Sequence, residues 1–494
     1  MIATLSSFMA SSLIGACILT FFLPKNAKPS VGHFVLYLAL AFGLGVAVSS
    51  LILFVFLHFS PIKFFPLFEV ACALLFAIVV MLKFPVKILW LPSRPQNITI
   101  PETILSVIIV AAFAIVLLVY LIYFPLEPHG KWDAWASWNS AARFIYGSMG
   151  IVDSYQTFWK TLGAQSSYPW LYPLSVAKAW AYGGQVEQAA PLVFNALFGL
   201  AISGVVFGFL CTVKGRLTGL FAVLFLLGCP FFSLHILAQY ADIALAYYFV
   251  AALVTLCLAT DKEHGKFLAL LGAFATIAAW TKDEGLLFLL VIFLVFCIYV
   301  GRDYASEKRL KDSGTKVLLF LGGALPGLLL LFYHKVFFIE RASSFLSEQS
   351  RALIDFILDL DRYATVVTAF IKEAFLFSVA NVTFMSSGIV LLIIYALVVG
   401  REKVVSWRSP LALPAVVTLL MLGGYFAVFI ITPAPLQWHL DTLLNRLYLQ
   451  LFPLMIVAFL AMLKAPDAIF REKVFLDLPP KTMPLNKNKR KTRR

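Results

Sequence analysis

Three charged residues are candidates for catalysis or binding. Asp133 lies in the long loop 125–188 at the start of a predicted interfacial helix, and Asp242 and Arg446 lie at the ends of long apolar segments. An ionisable side chain at the rim of such a segment is costly and is a candidate for function. A carboxylate can accept the proton of a reacting hydroxyl group, and an arginine can hold a phosphate through its planar guanidinium. The simpler alternatives are that the aspartates cap helices and that the arginine extends toward lipid headgroups.

Tryptophans surround the first of these acids. Trp132, Trp135 and Trp138 recur every three residues, which places them near one face of a helix. The pattern indicates either an aromatic belt at the lipid headgroups or a wall that binds a sugar or a lipid. The nearest cation to Asp133 is Lys131, but residues two apart do not face each other on a helix.

A third group of charges, Lys282, Asp283 and Glu284, occupies a very short turn between two apolar segments. Charges in such a turn are usually solvated, so solvation is the favoured interpretation here. The alternative is that Lys282 and Glu284 belong to the same site as the two aspartates.

The elements that hold these residues must be membrane helices. The chain has 494 residues, of which 61% are hydrophobic and only 13% charged, about half the charged fraction of a soluble domain. The apolar runs are continuous and are long enough to span a bilayer. We therefore predict an all-α, polytopic membrane protein with about thirteen transmembrane helices and with interfacial helices in the first long outer loop.

Basic residues set the predicted orientation. Loops rich in lysine and arginine alternate with acidic and aromatic ones, and all of the basic loops face the cytoplasm if the N-terminus is outside. Residues 464–494 carry much of the net charge of +14, which favours a cytoplasmic tail that contacts membrane lipids and argues against nucleic acid.

The amphipathic segment 361–382 is predicted to lie flat on the outer surface. The predicted division is 1–102 for three N-terminal helices, 103–463 for the core with outer loop 125–188, and 464–494 for the tail.

The order of these motifs resembles the GT-C superfamily of membrane glycosyltransferases, which includes the protein O-mannosyltransferases and the transferase that adds aminoarabinose to lipid A. The resemblance covers about residues 103–463. Asp133 matches the first-loop acid of that superfamily and Asp242 the second-loop acid, whereas Lys282, Glu284 and Arg446 match more loosely. Asp133 stands alone where the common motif has two adjacent acids, and three helices precede the matching core.

The resemblance implies an inverting hexosyl- or pentosyltransferase of a bacterial inner membrane. Its donor would be a polyprenyl-phosphate-linked sugar, and its acceptor a lipid, glycan or protein on the outer side. Asp133 and Asp242 are the expected catalytic acids. The expected substrate-binding residues are Trp132, Trp135, Trp138, Arg143, Lys282, Glu284 and Arg446.

The chemistry agrees with these residues, because a phosphate leaving group departs without a proton and a single base suffices. No His, Cys and Asp cluster has metal-ligand spacing. No cofactor is therefore certain, although Asp133 and Asp242 could share a divalent metal ion. Two rivals remain: a transporter or flippase, which would place charges near the bilayer midplane, and a ligase for lipid-linked glycans.

Overall fold

The computed structural model describes residues 1–24, 30–84, 98–147, 168–307, 310–338, 354–377, 388–402 and 409–466. Within these ranges the protein is helical, and the one extended pairing is an isolated bridge between Arg401 and Leu463. The helices are α1 (Ile2–Thr20), α2 (Val31–Phe56), α3 (Phe65–Lys83), α4 (Ile100–Tyr123), α5 (Asn139–Gly147), α6 (Leu171–Gly183), α7 (Ala189–Lys214), α8 (Arg216–Leu227), α9 (Pro230–Ala238), α10 (Asp242–Ala259), α11 (Phe267–Thr281), α12 (Glu284–Glu307), α13 (Leu310–Phe337), α14 (Leu360–Leu376), α15 (Gly388–Val399), α16 (Leu413–Ile431) and α17 (Leu436–Met462).

Length and apolar composition mark ten helices of the described chain as candidate membrane spans, or eleven if the bent pair α8 and α9 is one span. The apolar helices α11 and α15 are shorter. The predicted all-helical membrane architecture is confirmed, but the count of thirteen spans is not. The predicted tail lies almost entirely outside the described residues.

The first three helices pack directly on the rest of the protein. The hydroxyl groups of Tyr247 and Tyr248 in α10 donate hydrogen bonds to backbone oxygens of α2, Ala39 O at 2.7 Å and Gly43 O at 3.0 Å. In α3, the buried Glu69 accepts a hydrogen bond at 3.0 Å from Lys178 of α6. A buried ion pair of this kind is costly to break, so it fastens the N-terminal helices to the core. The boundary at residue 102 stays a prediction.

Helix α14 is the amphipathic segment predicted to lie at the membrane surface. It is not among the candidate spans. The Asp359 carboxylate caps its N-terminus by accepting from the backbone N–H groups of Asp361 and Arg362. The buried Arg362 guanidinium donates to the backbone oxygens of Phe429 and Thr432, at 3.1 and 2.6 Å. These bonds hold α14 against the C-terminal end of α16.

Several of the loops predicted to be cytoplasmic meet at one end of the molecule. Lys214 Nζ donates to Leu463 O at 2.9 Å and lies 3.8 Å from the Glu402 carboxylate. Arg216 and Glu102 approach to 3.7 Å. Arg446 lies far from this end, because it is seventeen positions before Leu463 along α17, a rise of about 25 Å.

Single-cysteine labelling tests which end faces outward. In a chain lacking its six native cysteines, an impermeant thiol reagent should label Glu127→Cys in intact cells but leave Glu263→Cys unlabelled. Both positions are solvent-exposed in the structure, and the expectation rests on the distribution of basic residues. Permeabilised cells supply the control, since both positions should then react. Labelling of position 263 alone in intact cells would reverse the proposed topology.

Candidate functional site

The backbone before α10 brings Asp242 to the end of a bent helix pair. Helices α8 and α9 are bent by 60°, and α9 ends where Gln239 adopts a left-handed conformation with φ of 59°. Three residues later α10 begins at Asp242. The N-cap position of α10 is Ala241 and not Asp242, so the structure does not place the acid where the helix-cap alternative requires it.

The buried Asp242 carboxylate is surrounded by donors from three other segments. Its Oδ2 accepts from Arg446 Nε and Nη2 at 3.1 and 2.8 Å. Its Oδ1 accepts from Lys282 Nζ at 2.9 Å and from Gln450 Nε2 at 2.6 Å. His235 Nε2 lies 3.4 Å from Oδ2. A carboxylate buried with this many partners is stabilised as the charged form by its cations.

Asp133 approaches the same arginine from the opposite side. Arg446 Nη1 donates to Asp133 Oδ2 at 2.7 Å, and the guanidinium lies over the Tyr240 ring, 4.6 Å from its centroid. The backbone N–H of Asp133 donates to the Tyr240 hydroxyl at 3.3 Å. Side-chain exposure falls from 30% at Asp133 to 11% at Arg446 and 0% at Asp242. The site therefore runs from an accessible acid inward to a buried one.

The helix that carries Asp133 contains a π-helical turn from Ala134 to Trp138. Such turns are rare and occur frequently at functional sites. Asp133 precedes this turn but makes no side-chain cap, which removes the structural alternative considered for it. Lys131 pairs with Glu127 at 2.6 Å, in agreement with the expectation that it does not pair with Asp133.

Gln239 connects the loop that follows α4 to the start of α10. Its Nε2 donates to Pro128 O at 3.2 Å, and its Oε1 accepts from Asn139 Nδ2 at 3.0 Å. Gly130 adopts φ of 73° beside this junction, and a Cβ there would lie 2.6 Å from Ala238 O. Glycine is therefore required for the close approach. The result is that Asp133 and Asp242 are held within reach of one arginine.

Lys282 is buried, which corrects the expectation of a solvated turn. Its ammonium group donates to Asp242 at 2.9 Å and to Glu284 Oε1 at 2.7 Å. Burial by itself would lower the pKa of Lys282, but the two carboxylates raise it above its usual value. Asp283 pairs instead with Lys335 at 3.0 Å, so the three charges of the turn serve two separate contacts.

The three tryptophans and the arginine predicted to bind substrate do not all lie at the site. Trp132 and Trp135 are exposed, at 63% and 47%, and form an edge-on pair with centroids 4.5 Å apart. Trp138 is buried against Tyr172. Arg143 is exposed and is not among the donors to Asp133 or Asp242. The exposed pair flanks Asp133 and is available to a ligand, whereas Trp138 supports the fold.

Three residues of the site were not predicted from the sequence: His235, Tyr240 and Gln450. Gln450 lies one helical turn after Arg446, and this spacing is the signal that could have indicated it. Its Oε1 accepts from the Tyr425 hydroxyl at 2.8 Å, which orients its amide nitrogen toward Asp242.

The described residues contain no group of three or more His, Cys, Asp or Glu side chains placed to hold a metal ion. The Arg446 guanidinium lies between Asp133 and Asp242. A divalent ion shared by these two acids would have to displace it, so the present arrangement does not fit a bridging metal.

The apolar helices and the ionic cluster define an integral membrane protein with a charged site at the ends of several helices. A family model, dolichyl-phosphate-mannose-protein mannosyltransferase, matches residues 169–326. This segment, about a third of the chain, includes Asp242, Lys282 and Glu284 but neither Asp133 nor Arg446. The match confirms the resemblance to the GT-C glycosyltransferases. No curated protein and no solved structure matches the chain.

Proposed function

We propose that this protein is an inverting glycosyltransferase that moves one sugar from a polyprenyl-phosphate carrier to an acceptor on the extracytoplasmic face of a bacterial inner membrane. The observation that carries the proposal is the Asp133–Arg446–Asp242–Lys282 cluster, in which an accessible acid contacts a buried cation. The family match over the segment that holds Asp242 and Lys282 supports the same reaction.

In the proposed reaction, the donor phosphate binds Arg446 and replaces Asp133 as the partner of Nη1. Asp242 keeps its two hydrogen bonds to the guanidinium and holds it in place. Lys282, paired with Asp242 and Glu284, adds a second positive charge behind it. Positive groups fixed in a poorly solvated site stabilise a leaving phosphate more strongly than they would in water.

Asp133, once released from Arg446, accepts the proton of the acceptor hydroxyl group. The acceptor oxygen then bonds to the anomeric carbon as the bond from that carbon to the phosphate oxygen breaks. The carrier phosphate leaves with the bonding electron pair, and the configuration at carbon inverts. Asp242 is a poor alternative for the base, because it is fully buried and already bonded to several donors.

A transfer assay in nanodiscs tests the function. Purified protein is given a polyprenyl-phosphate donor carrying labelled mannose, the sugar in the name of the matched family, and then hexose and pentose alternatives. Cell-envelope fractions serve as acceptors. Label should move to the acceptor fraction with stoichiometric release of polyprenyl phosphate. Release from none of these donors would refute the proposal. Mass spectrometry of surface glycans from a deletion strain would identify the acceptor.

Arg446→Gln should lower transfer by about tenfold or more. A charged hydrogen bond contributes about 1.5–3 kcal/mol, and this side chain is proposed to hold the leaving phosphate. Arg446→Lys should restore only part of the activity, because an ammonium group lacks the planar fork that also spans Asp133 and Asp242. Turnover is compared with the thermal midpoint of each variant. Full activity in folded Arg446→Gln protein would exclude a phosphate-binding role.

A further inference from the structure

A groove of about 540 Å³ lies between α14 and the beginning of α17. Its walls include Thr365, Thr368 and Glu373 of α14 and Asp441 and Asn445 of α17. Pockets of roughly 300–1,000 Å³ commonly hold small ligands. None of these residues belongs to the charge cluster described above.

The groove offers hydroxyl, carboxylate and amide groups, which together donate and accept hydrogen bonds. Its charged residues are Glu373, Asp441 and Lys372, so the lining is more acidic than basic. This balance opposes a phosphate, which prefers arginine and lysine. It suits a neutral or cationic molecule with many hydroxyl groups.

Asn445, which lines the groove, has an acceptor atom that lacks a partner among the residues that the structure describes. Asn445 Oδ1 is shielded from solvent and receives no hydrogen bond there. A shielded polar atom of this kind is costly unless a donor reaches it. Nearby, Gln437 Nε2 donates to Asp441 Oδ1 at 2.9 Å, which leaves the second carboxylate oxygen of Asp441 for a ligand hydroxyl.

Hydrogen bonds hold the walls of the groove in place, and one wall residue is adjacent to Arg446 in the sequence. The Tyr448 hydroxyl of α17 donates to Phe370 O of α14 at 2.9 Å, and Arg362 fixes α14 to the end of α16. Asn445 immediately precedes Arg446 in the sequence. A ligand in the groove would therefore lie beside the helical turn that carries the phosphate-binding arginine.

We propose that this groove binds a hydroxyl-rich saccharide portion of the acceptor. The proposal rests on the proposed function, and it divides the substrates by charge. The donor phosphate goes to Arg446, and the acceptor saccharide goes to the acidic groove between α14 and α17.

Saturation-transfer NMR on the full chain in nanodiscs tests the groove without turnover. The probes are methyl α-mannopyranoside, methyl β-glucopyranoside and glucosamine, with methyl phosphate as the anionic comparison. At least one saccharide should receive saturation from the wild-type protein. Thr368→Phe should abolish this signal by filling the groove, and Asp441→Asn should weaken binding about tenfold through the loss of a charged hydrogen bond.

The matched control is Val367→Phe, which adds the same ring to an exposed neighbouring position of α14 that does not line the groove. It should bind the saccharides as the wild type does. Signals that are absent for every saccharide, or equal in Val367→Phe and Thr368→Phe, would overturn the proposal. Should Thr368→Phe fail to fold, the Asp441→Asn affinity decides.

The transfer assay separates this proposal from the proposed function. A protein that transfers sugar from the donor but shows no groove-dependent binding refutes only the groove. A protein that binds saccharides in the groove but releases no polyprenyl phosphate refutes only the transferase activity.

Discussion

Asp133→Asn should lower sugar transfer by about 10²-fold or more while leaving the thermal midpoint close to that of the wild type. A general base usually contributes about 10²–10⁴-fold, and an amide cannot take up the acceptor proton. The amide oxygen can still accept from Arg446 Nη1, which lies 2.7 Å from the native carboxylate. The substitution therefore removes the base and retains the contact. Turnover with a polyprenyl-phosphate sugar and the thermal midpoint are measured on the same preparation.

Glu127→Gln is the matched control for this variant. Glu127 is an acid of the same loop that pairs with Lys131 at the exposed surface, so its loss of charge should leave transfer unchanged. Near-normal turnover of Asp133→Asn would eliminate Asp133 as the base. Asp242 would then be the remaining candidate, and it would have to leave its buried hydrogen bonds to act.

Asp242→Ala should destabilise the protein by about 3–5 kcal/mol and abolish transfer, because it leaves the Arg446 guanidinium and the buried Lys282 ammonium group without the carboxylate that both contact. Asp242 is fully buried and accepts from both cations and from Gln450. The expected observations are a lower thermal midpoint and a smaller yield of folded protein. A midpoint equal to that of the wild type would show that the cluster is solvated in the membrane-embedded protein.

Two further variants test whether the loss of stability in Asp242→Ala comes from the buried charges of the cluster. Asp261→Asn changes an exposed aspartate in the loop between α10 and α11 and should alter the midpoint little, because asparagine caps about as well as aspartate. Arg446→Met combined with Asp242→Ala should be less destabilised than the two single effects added together, because one buried charge is removed with its partner. Additive effects would argue against direct coupling.

The residues of the cluster were identified separately by sequence, but their pairing was not. Asp242 was selected because it is an acid at the end of an apolar segment, and Asp133 because it is an acid between tryptophans in a long loop. The Asp133–Arg446 contact joins residues 313 positions apart, and the Asp242–Arg446 contact joins residues 204 positions apart. Spacing along one helix predicts neighbours three or four residues away, so it cannot reveal contacts of this kind.

Lys282 shows most directly what the local sequence cannot predict. A short charged turn between two helices is solvated unless another element covers it, and local sequence does not say which element arrives. Here Asp242 and Gln450 come from α10 and α17, so that Lys282 is buried and its ion pairs replace water. The same packing made Gln450 part of the site although its residue type alone gave no reason to choose it.

The sequence by itself determined that the protein is helical and membrane-embedded, because long apolar runs with few charges must satisfy their backbone hydrogen bonds internally in lipid. It also indicated the candidate site residues Asp242 and Arg446, which lie at the ends of such runs, and Asp133, which lies between tryptophans. Only the tertiary structure decided that two aspartates, a lysine and an arginine form one cluster graded from exposed to buried. That arrangement depends on the bend between α8 and α9, the left-handed Gln239 and the packing of α17. These features join segments distant in sequence, and the energies that select them come from burial and charge pairing between helices.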